Sequence, residues 1–130
     1  MTTDERAEKA ASYKTSGQCN CCQAVTKAFA DTVAVDEETL RAISSGFMAG
    51  MGCMEATCGA LIGANMIAGL RTAGNGTAKV SRELLAKFKE KSGATICREL
   101  KGVGTGKVLC ECDDCVRNAV RSLEELLPSS

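Results

Sequence analysis

Nine cysteines in a chain of 130 residues, with no histidine and no tryptophan, define the chemistry open to this sequence. They stand as Cys19, Cys21 and Cys22; Cys53 and Cys58; Cys97 alone; and Cys110, Cys112 and Cys115. Without histidine, Ser-His-Asp and Cys-His nucleophile pairs are excluded, as are His-ligated zinc and haem. Sixteen lysines and arginines balance sixteen aspartates and glutamates, and four residues are aromatic. A nucleic-acid surface asks instead for a basic face with stacking platforms. What is left is sulfur chemistry: thiolate ligation of a metal or cluster, or thiol–disulfide exchange.

Compartment decides between those uses. The opening Met1–Ser12 is polar, carries acids and has no apolar run, so no secretory signal and a cytoplasmic location are expected. In a reducing compartment, clustered cysteines mean metal binding or redox work more often than structural disulfides. The odd count also spoils a fully paired framework. Phe47 to Leu70 carries a single charge, Glu55, but Gly50, Gly52, Cys53 and Thr57 interrupt it. The uncharged piece from Ala60 to Leu70 falls short of the roughly 18–20 residues of a membrane span. A buried central helix is expected there.

The elements that must position the cysteines read as all-α, with one proline, at 128, and helix formers throughout. Residues 1–16 read as a loose polar segment, and 17–130 as a single cysteine-rich helical redox domain of about five helices. A first helix is expected over Cys21–Val33, with Val25, Ala28, Phe29 and Val33 at i+3/i+4 spacing. Asp36 is the expected N-cap of a second, with Leu40, Ile43, Phe47 and Met48 on one face. The glycine-rich Ala49–Thr57 breaks it. A third, central helix over Thr57–Arg71 offers Gly59, Ala60, Gly63, Ala64, Ala68 and Gly69 for close approach of a neighbour, and Gly74-Asn75-Gly76 closes it. A fourth over Thr77–Lys91 turns Val80, Leu84, Leu85 and Phe88 inward and stops at Gly93. Thr95 caps a short turn holding Cys97 and Leu100. The loop Gly102–Lys107 lacks phosphate-loop spacing, and Val108 stands where a magnesium-binding hydroxyl belongs. The last helix, over Asp113–Leu127, carries Val116, Ala119, Val120, Leu123 and Leu127, with Asp113-Asp114 as its acidic start rather than an acid/base pair.

Laid on these elements, one cysteine of each group opens a helix: Cys21, Cys58, Cys97, and Cys112 or Cys115. A helix start carries unpaired N–H donors and about half a positive charge, which favours thiolates. Four distant segments sharing this habit imply one negatively charged object at their meeting point. An iron–sulfur cluster is such an object. Neither the C-x2-C-x2-C run nor the C-x4-C-x2-C pattern occurs; Cys53-x4-Cys58 and Cys110-x-Cys112-x2-Cys115 match only fragments. Cys22, facing Val25 and Phe29, reads as core filler, and so do the five methionines.

Cys58-Gly59-Ala60-Leu61-Ile62-Gly63, preceded by the glycine-rich Gly46–Gly52, resembles the CGAxxG element of the C-GCAxxG-C-C family, small cysteine proteins of bacteria and archaea. Asn20-Cys21-Cys22-Gln23-Ala24-Val25 resembles the family's N-C-A-Q-A-V opening, with Cys22 at its alanine position. Cys97-Arg98-Glu99-Leu100 resembles the third-cysteine motif. The final family cysteine stands four residues before an apolar helix position, which matches Cys112 before Val116. The resemblance runs from about Gly17 to Leu127. It implies a cytoplasmic redox protein of an anaerobe with four cysteines in one site. A related domain in split-Soret-type cytochromes carries an iron–sulfur centre. Cys19, Cys22, Cys53, Cys110 and Cys115 are additions to the family pattern.

The leading expectation is therefore an electron-transfer or redox-sensing protein holding an iron–sulfur cluster through Cys21, Cys58, Cys97 and Cys112, with Gly59 beside it and Cys115 or Cys53 as alternate ligands. A metal-free thiol–disulfide oxidoreductase or sulfur/selenium carrier is the second, with Cys58 as nucleophile and Cys53 or Cys21 as partner. A zinc site of four cysteinates is the third. The partner is expected to be another redox protein, and the glycine-rich helix face could pack across a homodimer.

Overall fold

The computed structural model describes residues 1–128. Among them there are seven α-helices and no strand, an all-α fold. The count exceeds the expected five because the opening segment and the turn that holds Cys97 are both helical. The first is α1 (Thr3–Thr15), where the sequence suggested a loose polar start. Thr2 and Glu5 form a reciprocal capping box, and Ala7, Ala10 and Ala11 are buried. Alanine stripes bury so little apolar area that they escape a periodicity reading dominated by larger side chains. Arg6 is buried with them: its guanidinium pairs with Asp31 at 2.7 Å and Glu124 at 3.5 Å, bonds the Ala28 carbonyl, and lies 4.9 Å over the Phe29 ring.

Helix α2 (Cys21–Ala28) starts on a second capping box, with Asn20 accepting from the Gln23 amide at 2.8 Å and the Gln23 side chain returning the bond at 3.0 Å. It ends five residues before the expected Val33, passing into a 3₁₀ turn, Ala30–Thr32. Helix α3 (Glu37–Ser44) begins after Asp36, whose side chain makes no capping bond. It buries Leu40 but leaves Ile43 and Met48 exposed. The chain tightens into a 3₁₀ turn at Ser45–Phe47, so the i+7 and i+8 positions leave the face that Leu40 begins.

Helix α4 (Gly59–Thr72) is the central one, with Ala60, Leu61, Gly63, Ala64, Ile67 and Ala68 buried. It packs on α2, on α5 (Thr77–Ser92) and on α7 (Cys112–Leu126), while α1 crosses α7. Gly63 makes the α2–α4 contact close: a Cβ there would lie 2.7 Å from the Cys22 carbonyl oxygen. Helix α5 turns Leu84 and Phe88 inward but leaves Leu85 exposed, because a single i, i+4 row suffices for its contact. The one-turn α6 (Cys97–Lys101) ends at Gly102, whose φ of +75° and closeness to Lys107 backbone both require glycine. No helix among the described residues is long and apolar enough to cross a membrane.

Gly63→Ala should lower the urea midpoint. Overpacking against backbone costs about 1–3 kcal/mol, against a helix-propensity gain of about 1 kcal/mol. Gly69→Ala faces open space in the same helix and should raise the midpoint by up to about 1 kcal/mol. Equal responses at the two sites would mean that the α2–α4 approach is not close.

Candidate functional site

Two local devices bring helix starts together. The segments before α4 and α6 pair as an antiparallel bridge, Thr57 with Ile96: the Cys58 amide donates to the Thr95 carbonyl at 2.8 Å and the Cys97 amide to the Ala56 carbonyl at 3.0 Å. Cys58, the N-cap of α4, and Cys97, the first residue of α6, are thereby held side by side. At Gly59 a Cβ would fall 2.5 Å from both Cys21 Sγ and the Phe47 carbonyl oxygen. The missing side chain is what lets the start of α2 reach the start of α4.

The outcome is a cavity of about 320 Å³ lined by Cys21, Cys58, Cys97, Cys112 and Cys115, with Gly59 and Lys101 in its wall. All four cysteines expected at one site line it, and so does Cys115. Cys53, the other expected alternate ligand and exchange partner, is exposed and does not line it. Cys19 is buried beside a separate hollow, 3.6 Å from Arg41 Nη1. Cys22 is fully buried, its sulfur 4.0 Å from Met66 Sδ, and burial pushes its thiol up to about 12. Among the described residues, no three cysteine, aspartate or glutamate side chains converge on a point that would hold a single metal ion. Cys58 and Cys115 are in hydrogen-bonding contact, and Cys21, Cys97 and Cys112 line the same hollow.

A strap over residues 48–54 forms one side of the cavity through Met48, Ala49 and Met54. Ala49, Met51 and Met54 have φ of 45°, 63° and 64°, a left-handed run that L-residues seldom adopt. Gly50 touches the base of Cys97: a Cβ there would lie 2.7 Å from Cys97 Cβ. The sequence marks this segment as a helix break; the structure makes it a wall whose Ala49 amide bonds the Cys21 sulfur.

Charge in the cavity is uneven. The Cys115 thiol hydrogen-bonds Cys58, and against the cost of burial the Ala60 and Leu61 amides and the Lys101 ammonium add to hold Cys58 well below the ordinary thiol range. Cys115, bonded to Cys110 and Cys58 and buried, is pushed up. Burial raises Cys21, although the Ala49 amide opposes it, and burial likewise raises Cys97. Burial works against the Lys101 charge, but the thiols of Cys115, Cys112 and Cys58 outweigh it and raise that lysine. Lys101 donates to the Cys110 carbonyl at 3.1 Å and to Cys115 Sγ at 3.6 Å. Neither Lys101 nor a central role for Cys115 emerges from motif reading. The available signal was spacing: Lys101 is four residues after Cys97 on α6, and Cys115 three after Cys112 on α7, so each shares its cysteine's face.

Residues 19–126 match the sequence family described as "putative redox-active protein (C_GCAxxG_C_C)". The chain belongs to that family. The matched span contains all nine cysteines and both positioning devices. No curated protein sequence and no solved structure matches the chain.

In metal-free reduced protein, alkylation of Cys58 should reach half its maximal rate at a pH below that of an ordinary thiol, while Cys22 reacts only on unfolding. Cys115→Ala removes a donor to the Cys58 thiolate, so it should move that half-point to higher pH. Cys115→Ser, which keeps a donor, should move it less. An unchanged half-point in Cys115→Ala would mean that the Cys58–Cys115 bond is absent.

Proposed function

We infer that this protein is a small electron-transfer or redox-sensing protein that holds an iron–sulfur cluster through Cys21, Cys58, Cys97 and Cys112. The observation that carries this reading is that four thiols from four helix starts surround one hollow. A lone tetrahedral ion draws four sulfurs to within about 4 Å of one another. A hollow of about 320 Å³ between thiols instead suits a group that brings its own inorganic atoms. The donor set also fits: thiolate ligands, amides at helix starts, and no competing imidazole.

When bound, such a group supplies one-electron transfer. The rest falls to the chain. Cys58, whose thiolate the Cys115 thiol and the Ala60 and Leu61 amides favour, is the ligand most ready to bind. The Ala60, Leu61 and Ala49 amides donate to sulfur and offset negative charge, and Lys101 adds a full positive charge from the wall. Met48 and Met54 on the strap keep water from one side. Gly59 leaves room for Cys21 to approach.

A second reading, metal-free thiol exchange, is favoured by one observation, the hydrogen bond between Cys58 and Cys115. It makes Cys115 the resolving partner in place of Cys53, which lies outside the cavity. A zinc-cysteinate site is the third.

Protein purified without oxygen should be brown, with iron and acid-labile sulfide near stoichiometric. Serine at Cys21, Cys58, Cys97 or Cys112 should each lower the iron content sharply, whereas Cys19→Ser and Cys53→Ser should leave it unchanged. Colourless anaerobic protein without iron would sink the cluster reading, and zinc in its place would select the third.

A further inference from the structure

Outside the four-cysteine set, the structure builds a second sulfur site. Cys110 lies two residues before α7 and Cys115 within its first turn, 8% and 1% exposed. The Cys115 sulfur stands 3.7 Å from the Cys110 carbonyl oxygen, and the two thiols are themselves hydrogen-bonded. Asn118 Nδ2 reaches Cys110 Sγ at 3.7 Å and Ser92 Oγ at 2.9 Å. Lys101 Nζ holds the Cys110 carbonyl and Cys115 Sγ together. A cysteine that serves only as packing sits among apolar side chains and needs no such retinue. Here an ammonium and a side-chain amide reach two neighbouring sulfurs, which marks the pair as a built site rather than packing.

We propose that Cys110 and Cys115 form a second redox site, a dithiol that closes to an intramolecular disulfide by exchange with a low-molecular-weight disulfide. Cys110 is the point of entry, being the more exposed of the pair and ending the exposed run 103–109. Its thiolate attacks one sulfur of the small disulfide RS–SR. That S–S bond breaks, RS⁻ leaves and takes a proton, and Cys110 carries a mixed disulfide. Cys115 gives up its proton beside Lys101 and attacks the Cys110 sulfur, forming Cys110–Cys115 and releasing the second RS⁻, which takes that proton. Two protein thiols lose two electrons and two protons, and RS–SR becomes two RSH. Excess RSH runs the sequence backwards. Closure takes the Cys115 thiol from Cys58, so the second site can report to the first. Neither sulfur belongs to the four-cysteine set, although Cys115 lines the cavity beside it and Cys110 does not.

The test is thiol trapping across a series of oxidised and reduced glutathione mixtures. Free thiols are blocked with N-ethylmaleimide in denaturant, followed by digestion with trypsin and a glutamate-specific protease. Cuts after Lys107, Glu111 and Arg117 separate Cys110 from Cys112 and Cys115. Expected is peptide 108–111 joined to 112–117, with the label on Cys112. Cys110→Ser and Cys115→Ser should each abolish the joined species while keeping the helical far-ultraviolet signal. Lys101→Gln should shift the midpoint toward more reducing mixtures, because the ammonium stabilises the open thiolate form. Labelling of both Cys110 and Cys115 in every mixture, or a bond from either to another cysteine, would overturn the proposal. Iron measured on the same samples bears on the cluster alone, so the two readings fail separately.

Discussion

Helix starts can share a site only if their backbones come closer than ordinary side chains permit, and this constraint governs the architecture. At Gly59 and Gly63 the space of a Cβ is taken by Cys21 Sγ and by the Cys22 carbonyl. At Gly50 it is taken by Cys97. Removing three Cβ atoms lets α2, α4 and the strap converge, and two backbone hydrogen bonds at the Thr57–Ile96 bridge then set α6 beside α4. The remaining wall comes from the start of α7, anchored by α1 and by the Arg6 pairs with Asp31 and Glu124. A weak alanine helix at the beginning of the chain thus supports the cysteines near its end.

The second theme is charge. Five sulfurs in one apolar hollow would repel as thiolates and resist burial. The chain answers with helix amides at Cys58, an amide at Cys21, and Lys101 in the wall. The response is asymmetric, with Cys58 drawn down and Cys21, Cys97 and Cys115 pushed up. Hydrogen bonds and the Lys101 charge favour the ionised form at Cys58, while burial favours the neutral form at Cys21 and Cys97.

Much of the fold was legible. Cys21, Cys58, Cys97 and Cys112 stand at helix starts as their spacing indicated, and the glycine and alanine face of α4 is buried. The failures share a cause. α1 buries alanines, so its periodicity is faint. Ile43, Met48 and Leu85 are exposed because a short helix or a narrow contact uses fewer apolar residues than the sequence offers. The strap reads as a mere break because a left-handed conformation at Ala49, Met51 and Met54 is held by tertiary contact, against local preference.

By itself the sequence determined the chemistry: nine cysteines and no histidine leave sulfur as the reactive element, and helix capping decides which sulfurs stand at positive helix ends. Those are local properties, set within a few residues of each cysteine. The tertiary structure decided membership. It set Cys115 on the cavity wall, left Cys53 outside, brought Lys101 among the thiols and put Cys115 beside Cys110. Each of these depends on contacts between segments distant in the chain, or on where a turn points a side chain in space, and spacing alone does not encode either.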